Sequence, residues 1–175
     1  MPYFPSEPGK RILEQTRRVP RNHFALETID SYPQQYLSFH LNHQWYGLSV
    51  DHLVAVLPPP EVTRVPRVPA YILGVMNFRG EVLAAIDLKE LFELPQLPLK
   101  SDPAMIVVKH GKVRTGLLVD GVGDLASLSQ DESGEEAVLA EKSQTTFFEG
   151  TAHWGDVPVT IIRLEGLLQS AAGCW

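Results

Sequence analysis

Six histidines, one cysteine and a few aspartates are the side chains of this sequence that could do chemistry. His40 and His43 are close enough to share a metal, but they flank a predicted turn at Asn42-His43. No third ligand lies near them in sequence, and a zinc site wants three or four converging ligands. Cys174, the single cysteine, can form no internal disulfide, and nothing structured around it would lower its pKa. It reads as a surface thiol. Gly121-Val122-Gly123 lacks the strand–turn–helix setting and further glycines of a dinucleotide loop, so it reads as a turn or bulge. Asp51, Asp87 and Asp120 could serve as acids or bases. Asp87, however, stands three residues before Glu90 in the spacing of a helix-capping box, and the other two close strands in equivalent places, which points to a structural job repeated twice. No serine has a nucleophile-elbow setting. The inventory argues against an enzyme and calls for no cofactor.

Arg79 survives this filter. It lies in "LGVMNFRGEVLAAIDL", residues 73–88, where apolar residues run up to Asn77 and resume at Val82. The bland reading is a solvated turn residue. Against it, Arg79 sits between Phe78 and Gly80 beside apolar strands. A planar group with five donors on a sheet rim suits two-pronged capture of a carboxylate or of carbonyls, and arginine is enriched at interface hot spots.

The elements that position it are strands. Leu37, Phe39 and Leu41 alternate with Ser38 and His40, and Trp45–Val50 returns with aromatic and branched residues. Val54–Leu57 ends at Pro58-Pro59-Pro60, which cannot donate to a ladder, and Pro66 and Pro69 keep Val65–Ala70 extended. Val75–Asn77 and Val82–Ile86 read as two strands joined through Phe78-Arg79-Gly80, with Gly80 free to take the positive φ of a tight turn. Leu88–Glu93 should be a short helix ended by Pro95.

The second half repeats this plan. Gly47-Leu48-Ser49-Val50-Asp51 is echoed by Gly116-Leu117-Leu118-Val119-Asp120, Phe78-Arg79-Gly80 by Phe148-Glu149-Gly150, and Ile86-Asp87-Leu88 by Ile162-Arg163-Leu164, at offsets of 69, 70 and 76 residues. Three echoes in order are expected of a duplicated unit. Each half holds about five short strands, and closure would remove their edges. The expected fold is therefore mainly β, two small five-stranded antiparallel barrels side by side, with a short helix after each (the second over Arg163–Gln169). Leu94–Pro103 reads as the crossover, so two intertwined subdomains are expected over roughly 34–98 and 99–175 of a domain spanning 34–175.

Outside it, residues 1–33 carry Pro2, Pro5, Pro8, Pro20 and Pro33 with a basic cluster of Lys10, Arg11, Arg17, Arg18 and Arg21, and read as a flexible arm. Ser129–Glu141 is acidic and reads as an exposed loop. Over the 175 residues, 44% hydrophobic and 21% charged content fits an ordinary globular domain. A net charge of −6 argues against nucleic acid as the main partner. No apolar run approaches the roughly 20 residues of a membrane span, and MPYFPSEPGKRILEQ lacks the core of a secretory signal, so direct membrane insertion is not expected and the expected location is the cytoplasm.

"YILGVMNFRGEVLAAIDLKELFEL" resembles the signature segment of CheW-like coupling proteins of bacterial chemosensory arrays, which commonly reads close to "ILGVINLRGEVLPVIDLR". "YLSFHLNHQWYGLSVDHLVAV" is similar to that family's first hairpin, "MIVVKHGKVRTGLLVDGVGDLASL" to its later "VGLLVDSVGDV" segment, and "FFEGTAHWGDVPVTIIRLEGLL" to its closing hairpin and helix. The resemblance covers about Gln35 to Gln169. It implies two five-stranded barrels and a non-enzymatic adaptor, bridging the cytoplasmic tip of a chemoreceptor and the regulatory domain of a histidine autokinase at membrane-bound arrays. It also implies rings with other CheW-like proteins. Arg79 matches the family's functional arginine, with Asn77 and Gly80 its companions, and Phe78 replaces the commoner leucine. Val54 falls on an apolar groove position, Gly74 on a glycine where substitution tends to disturb coupling, and Val82 and Val122 complete the implied groove. Val56 stands where many relatives carry a glutamate that can pair with the arginine. That departure, with Leu57-Pro58-Pro59-Pro60, leaves a motility or pilus-linked array open beside chemotaxis, and an orphan CheW-like module in another pathway as the alternative.

Overall fold

The computed structural model describes residues 34–98, 102–130 and 146–172. The expected arm over 1–33, nearly all of the acidic loop over Ser129–Glu141, and Cys174 lie outside the described residues. In chain order the elements are β1 (Gln35–Leu41), β2 (Gln44–Ser49), a 3-10 turn (Val50–His52), β3 (Leu53–Leu57), β4 (Ile72–Phe78), β5 (Glu81–Asp87), α1 (Leu88–Leu91), β6 (Ala104–His110), β7 (Val113–Val119), β8 (Gly121–Ser127), β9 (Ser129–Gln130), β10 (Phe148–Trp154), β11 (Val157–Ile162) and α2 (Leu164–Ala172). Among the described residues no helix is long and apolar enough to cross a membrane.

Two sheets result, in the orders β8-β1-β2-β11-β10-β9 and β3-β6-β7-β5-β4. Each is antiparallel except for one central parallel pair, β2 with β11 and β5 with β7. The duplication is real, but its halves are interleaved. Shifting β1, β2 and β3 onto β6, β7 and β8, and β4 and β5 onto β10 and β11, turns the first five strands of one order into the other. Each sheet therefore draws strands from both sides of residues 98 and 99, and a sequential division there describes neither sheet.

Neither sheet is a closed barrel. Val54, Ala55 and Leu57 from edge strand β3 pack with Met76 and Phe78 from edge strand β4, so the second sheet rolls its two edges toward one cluster. No ladder joins those edges. The connecting segment carries Pro58, Pro59, Pro60, Pro66 and Pro69, which have no N–H to complete one. Thr63 alone bridges, exchanging hydrogen bonds of 2.8 and 2.9 Å with Val75.

A larger core fills the space between the sheets. Leu37, Phe39, Leu41 and Leu48 of the first sheet meet Ile86, Ile106, Val108 and Leu117 of the second. Strands covered on both faces explain why the alternation in β1 does not expose Ser38, whose hydroxyl donates to the Asp124 carbonyl at 2.8 Å. Helix α2 buries Leu164, Leu167, Leu168 and Ala171, one stripe at helical spacing.

Helix α1 is a single turn, shorter than the expected Leu88–Glu93, and Asp87 caps it as expected. The Asp87 carboxylate accepts from the amides of Lys89 at 2.9 Å and Glu90 at 3.3 Å. Asp87→Ala is expected to cost about 1 kcal/mol of stability, read as a lower urea midpoint at unchanged slope. Beyond the cap, the buried Lys89 ammonium pairs with Asp120 at 2.9 Å. Asp120 also accepts from the Asn42 amide at 2.7 Å.

Candidate functional site

The β4–β5 hairpin closes on two residues, between the opposed Phe78 and Glu81. Arg79 and Gly80 both have positive φ, 52° and 84°, as a mirror-type hairpin turn requires. Gly80 enters that region without strain. Arg79, with its long side chain, is unusual there. The Asn77 side chain supports the turn by accepting from the Gly80 amide at 3.0 Å. Phe78 points inward to the cluster with Met76 and Leu83, and the Arg79 guanidinium lies over its ring, 5.0 Å from the centroid. The guanidinium is thus held at an exposed tip. The nearby Glu81 carboxylate is committed elsewhere, to Arg114 at 2.7 Å. Among the described residues Arg79 has no ion-pair partner.

Because β5 and β7 run parallel, the turn at Gly111-Lys112 emerges beside that at Arg79-Gly80. One end of the second sheet therefore presents Arg79, Lys112 and Arg114 together with Glu81. Below the tips runs an apolar groove of about 390 Å³ lined by Ile72, Val82, Ala84, Val113, Thr115 and Leu168, among others. Val82 and Val113 at its mouth are 68% and 52% exposed.

The residues expected to form one groove are distributed more widely. Val82 lines this one. Val54 packs against the second sheet's own cluster, Val56 on the same strand is exposed, and Val122 on β8 packs against the shared core. Gly74 is buried at a register shift in β4, where Thr63 crosses it. Val113, Thr115 and Leu168 were not singled out in the sequence. The signal lay in the repeat, where Thr115 stands in the place of Tyr46. On that matched side burial pushes the Tyr46 phenol up to about 12, so the ring packs as a neutral group.

The other candidates have local explanations. Gly121–Gly123 lies in β8 at a bulge against β1. His40 sits edge-on to Trp45, ring centroids 5.3 Å apart. His52 and His110 approach to 5.4 Å, and among the described residues no three His, Cys, Asp or Glu side chains converge on a metal-sized site.

Comparison with known proteins adds to this geometry. The family profile described as "CheW-like domain" matches residues 35–172. The chain is 28% identical over 137 residues, 78% of its length and 82% of the relative's, to "Chemotaxis protein CheW" of Klebsiella aerogenes. It is 27% identical over 117 residues to "Protein PilI" of Pseudomonas aeruginosa, covering 67% of this chain and 66% of that one. The crystal structure of "scaffolding protein TtCheW from Thermoanaerobacter tengcongensis" superposes with a TM-score of 0.66 at 30% identity, covering 75% of this chain and 89% of the other.

Proposed function

The chain belongs to the CheW-like domain family of non-enzymatic scaffolding adaptors, and from that premise we propose that it couples the cytoplasmic tip of a chemoreceptor to the regulatory domain of a histidine autokinase. The reading rests on one observation: an arginine displayed at a hairpin tip, without an ion-pair partner among the described residues, above exposed valines. Arg79 is the polar rim that grips carboxylates or carbonyls of the receptor tip. Asn77 and Gly80 fix the turn, and Phe78 supports the guanidinium from below. Val82 supplies apolar contact beside it and Val56 on the exposed face of β3, with Val54 and Val122 as further apolar positions away from the tip. The exposed side of β3 is the edge offered to the kinase domain, and the same kind of contact joins other CheW-like proteins in rings.

No bond is made or broken in such a role. The receptor's signalling states differ in their contacts with the adaptor, and that difference biases the kinase between its own states. Modest individual affinities suffice, because the membrane-bound array raises the effective concentration of every partner. The chain works on the cytoplasmic side of that array.

Arg79→Glu tests the assignment. The variant is expected to fold normally and to lose more than about 1 kcal/mol of binding to a receptor-tip fragment or to the kinase regulatory domain, at least a five-fold rise in Kd by calorimetry. Unchanged Kd values for both partners in a well-folded variant would show that the arginine is not part of the rim.

A further inference from the structure

His52 ends the 3-10 turn that leads into β3, and His110 ends β6, the strand to which β3 is laddered. The ladder stops at Leu53 opposite Val108. Beyond it the two imidazoles meet, ring centroids 5.4 Å apart and planes tilted by 55°. Two imidazoles on one tetrahedral zinc, with Zn–N bonds of about 2.0–2.1 Å, place their ring centres roughly 5 Å apart, so the pair already stands near that separation. The Nδ1 atom of His52 lies 3.2 Å from the Lys109 carbonyl oxygen, which can only accept. A hydrogen bond across that gap puts the proton on Nδ1 and leaves the lone pair of the neutral ring on Nε2. A backbone carbonyl orients metal-binding histidines in this way.

The bland alternative is two rings packing at the end of a sheet. The duplication argues against a packing need. The residues matched to His52 and His110 in the sister repeat are Gly121 and Leu41, and that ladder ends without a ring pair. Neutral imidazole nitrogens suit zinc, nickel and copper, whereas magnesium and calcium prefer oxygen. We propose that His52 and His110 form a two-ligand site for a divalent transition cation of this class. Both residues are partly exposed, so the ion has access. Among the described residues no third His, Cys, Asp or Glu side chain joins them, so the remaining coordination positions are open and the ion is exchangeable. Edge strand β3 is laddered only to β6, and an ion held across its start pins that strand to its neighbour.

The test uses the untagged full chain carrying Cys174→Ser, which removes the one competing thiol, titrated with zinc chloride alone. Calorimetry is expected to give one zinc per chain. The imidazole proton resonances of His52 and His110 should move while those of the other four histidines stay. Zinc at about ten times its Kd should raise the melting temperature by roughly 3–6 °C, and magnesium at the same concentration should not. His52→Gln and His110→Leu, the latter supplying the sister repeat's residue, are each expected to weaken zinc binding about ten-fold or more, because a single imidazole chelates nothing. The double variant should lose little beyond either single. The resonance shifts are read on the parent fold, so they decide the matter even where a variant is destabilised. Shifts spread evenly over all six histidines, zinc affinity unchanged in a folded single variant, or an equal response to magnesium overturns the proposal.

Discussion

Lys89→Met is expected to destabilise the fold by about 3–5 kcal/mol, the largest loss from any single surface-neutral change in charge. Both partners of the pair are buried, and their charged atoms are 2.9 Å apart. Methionine keeps the aliphatic volume and removes the ammonium that neutralises the buried Asp120 carboxylate, which also accepts from the Asn42 amide at 2.7 Å. The damage spreads because of what the pair connects. Lys89 belongs to α1, behind the second sheet; Asp120 links β7 to β8, across the two sheets; Asn42 turns β1 into β2. Asp120→Asn on its own strands the ammonium and is expected to cost nearly as much. The double variant leaves no buried charge, so its loss should be well below the sum of the two singles, a coupling of more than about 1 kcal/mol. Urea titration of the four proteins measures it. Single variants within about 0.5 kcal/mol of the parent would show that the pair is solvated enough to be neutral.

The same pair shows where the sequence could be read and where it could not. Asp51 and Asp120 end matching segments, and the expectation of one structural job performed twice was half right. Asp120 is buried and paired; Asp51 is exposed, with no ion pair among the described residues. The residue matched to Lys89 in the second repeat is Glu165, whose carboxylate accepts from Gln169 at 3.2 Å and could not neutralise an aspartate. A repeat preserves backbone more faithfully than charge.

Hairpins were legible for a related reason. Turns need residues that tolerate positive φ, and Asn42, Gly80 and Gly111 announce them locally. The echo of Phe78-Arg79-Gly80 in Phe148-Glu149-Gly150 misled, because Phe148 starts β10 whereas Phe78 ends β4; the tip matching Arg79-Gly80 is Gly155-Asp156. Nothing local revealed the strand exchange. Both central parallel pairs join strands made mostly of apolar residues, and such strands carry no preference for their own half over the other. Arg79 was legible because a long cation in a tight turn is conspicuous. The groove beside it was not, because it arises from rings that are missing: Thr115, Leu168 and Ile72 are unremarkable until set against Tyr46, Phe92 and Phe148.

Gly74 separates a structural from a contact role, and Gly74→Ala is expected to cost about 3 kcal/mol of stability. The family resemblance marks this glycine as a place where substitution disturbs coupling, which suggests a surface that partners touch. Its environment points inward instead. Gly74 has φ 145°, open to glycine and costly for any side chain by about 1–3 kcal/mol. A Cβ there would overlap the Thr63 carbonyl, with the Arg64 Cα also in its way. That carbonyl accepts from the Val75 amide at 2.9 Å, and the Thr63 amide donates back at 2.8 Å. These two bonds hold the proline-rich segment against β4, so alanine acts on backbone strain and on the closure of the sheet edge together. The matched position is Gly150, also at a register shift, with φ 158°. The consequence for function is specific. Partner binding by Gly74→Ala should fall only as the folded fraction falls, and should return to the parental Kd at low temperature or in a stabilising osmolyte. Arg79→Glu, a tip change without strain, should lose affinity with its urea midpoint unmoved. A Gly74→Ala protein with the parental midpoint and no partner binding would put the glycine on the contact surface after all.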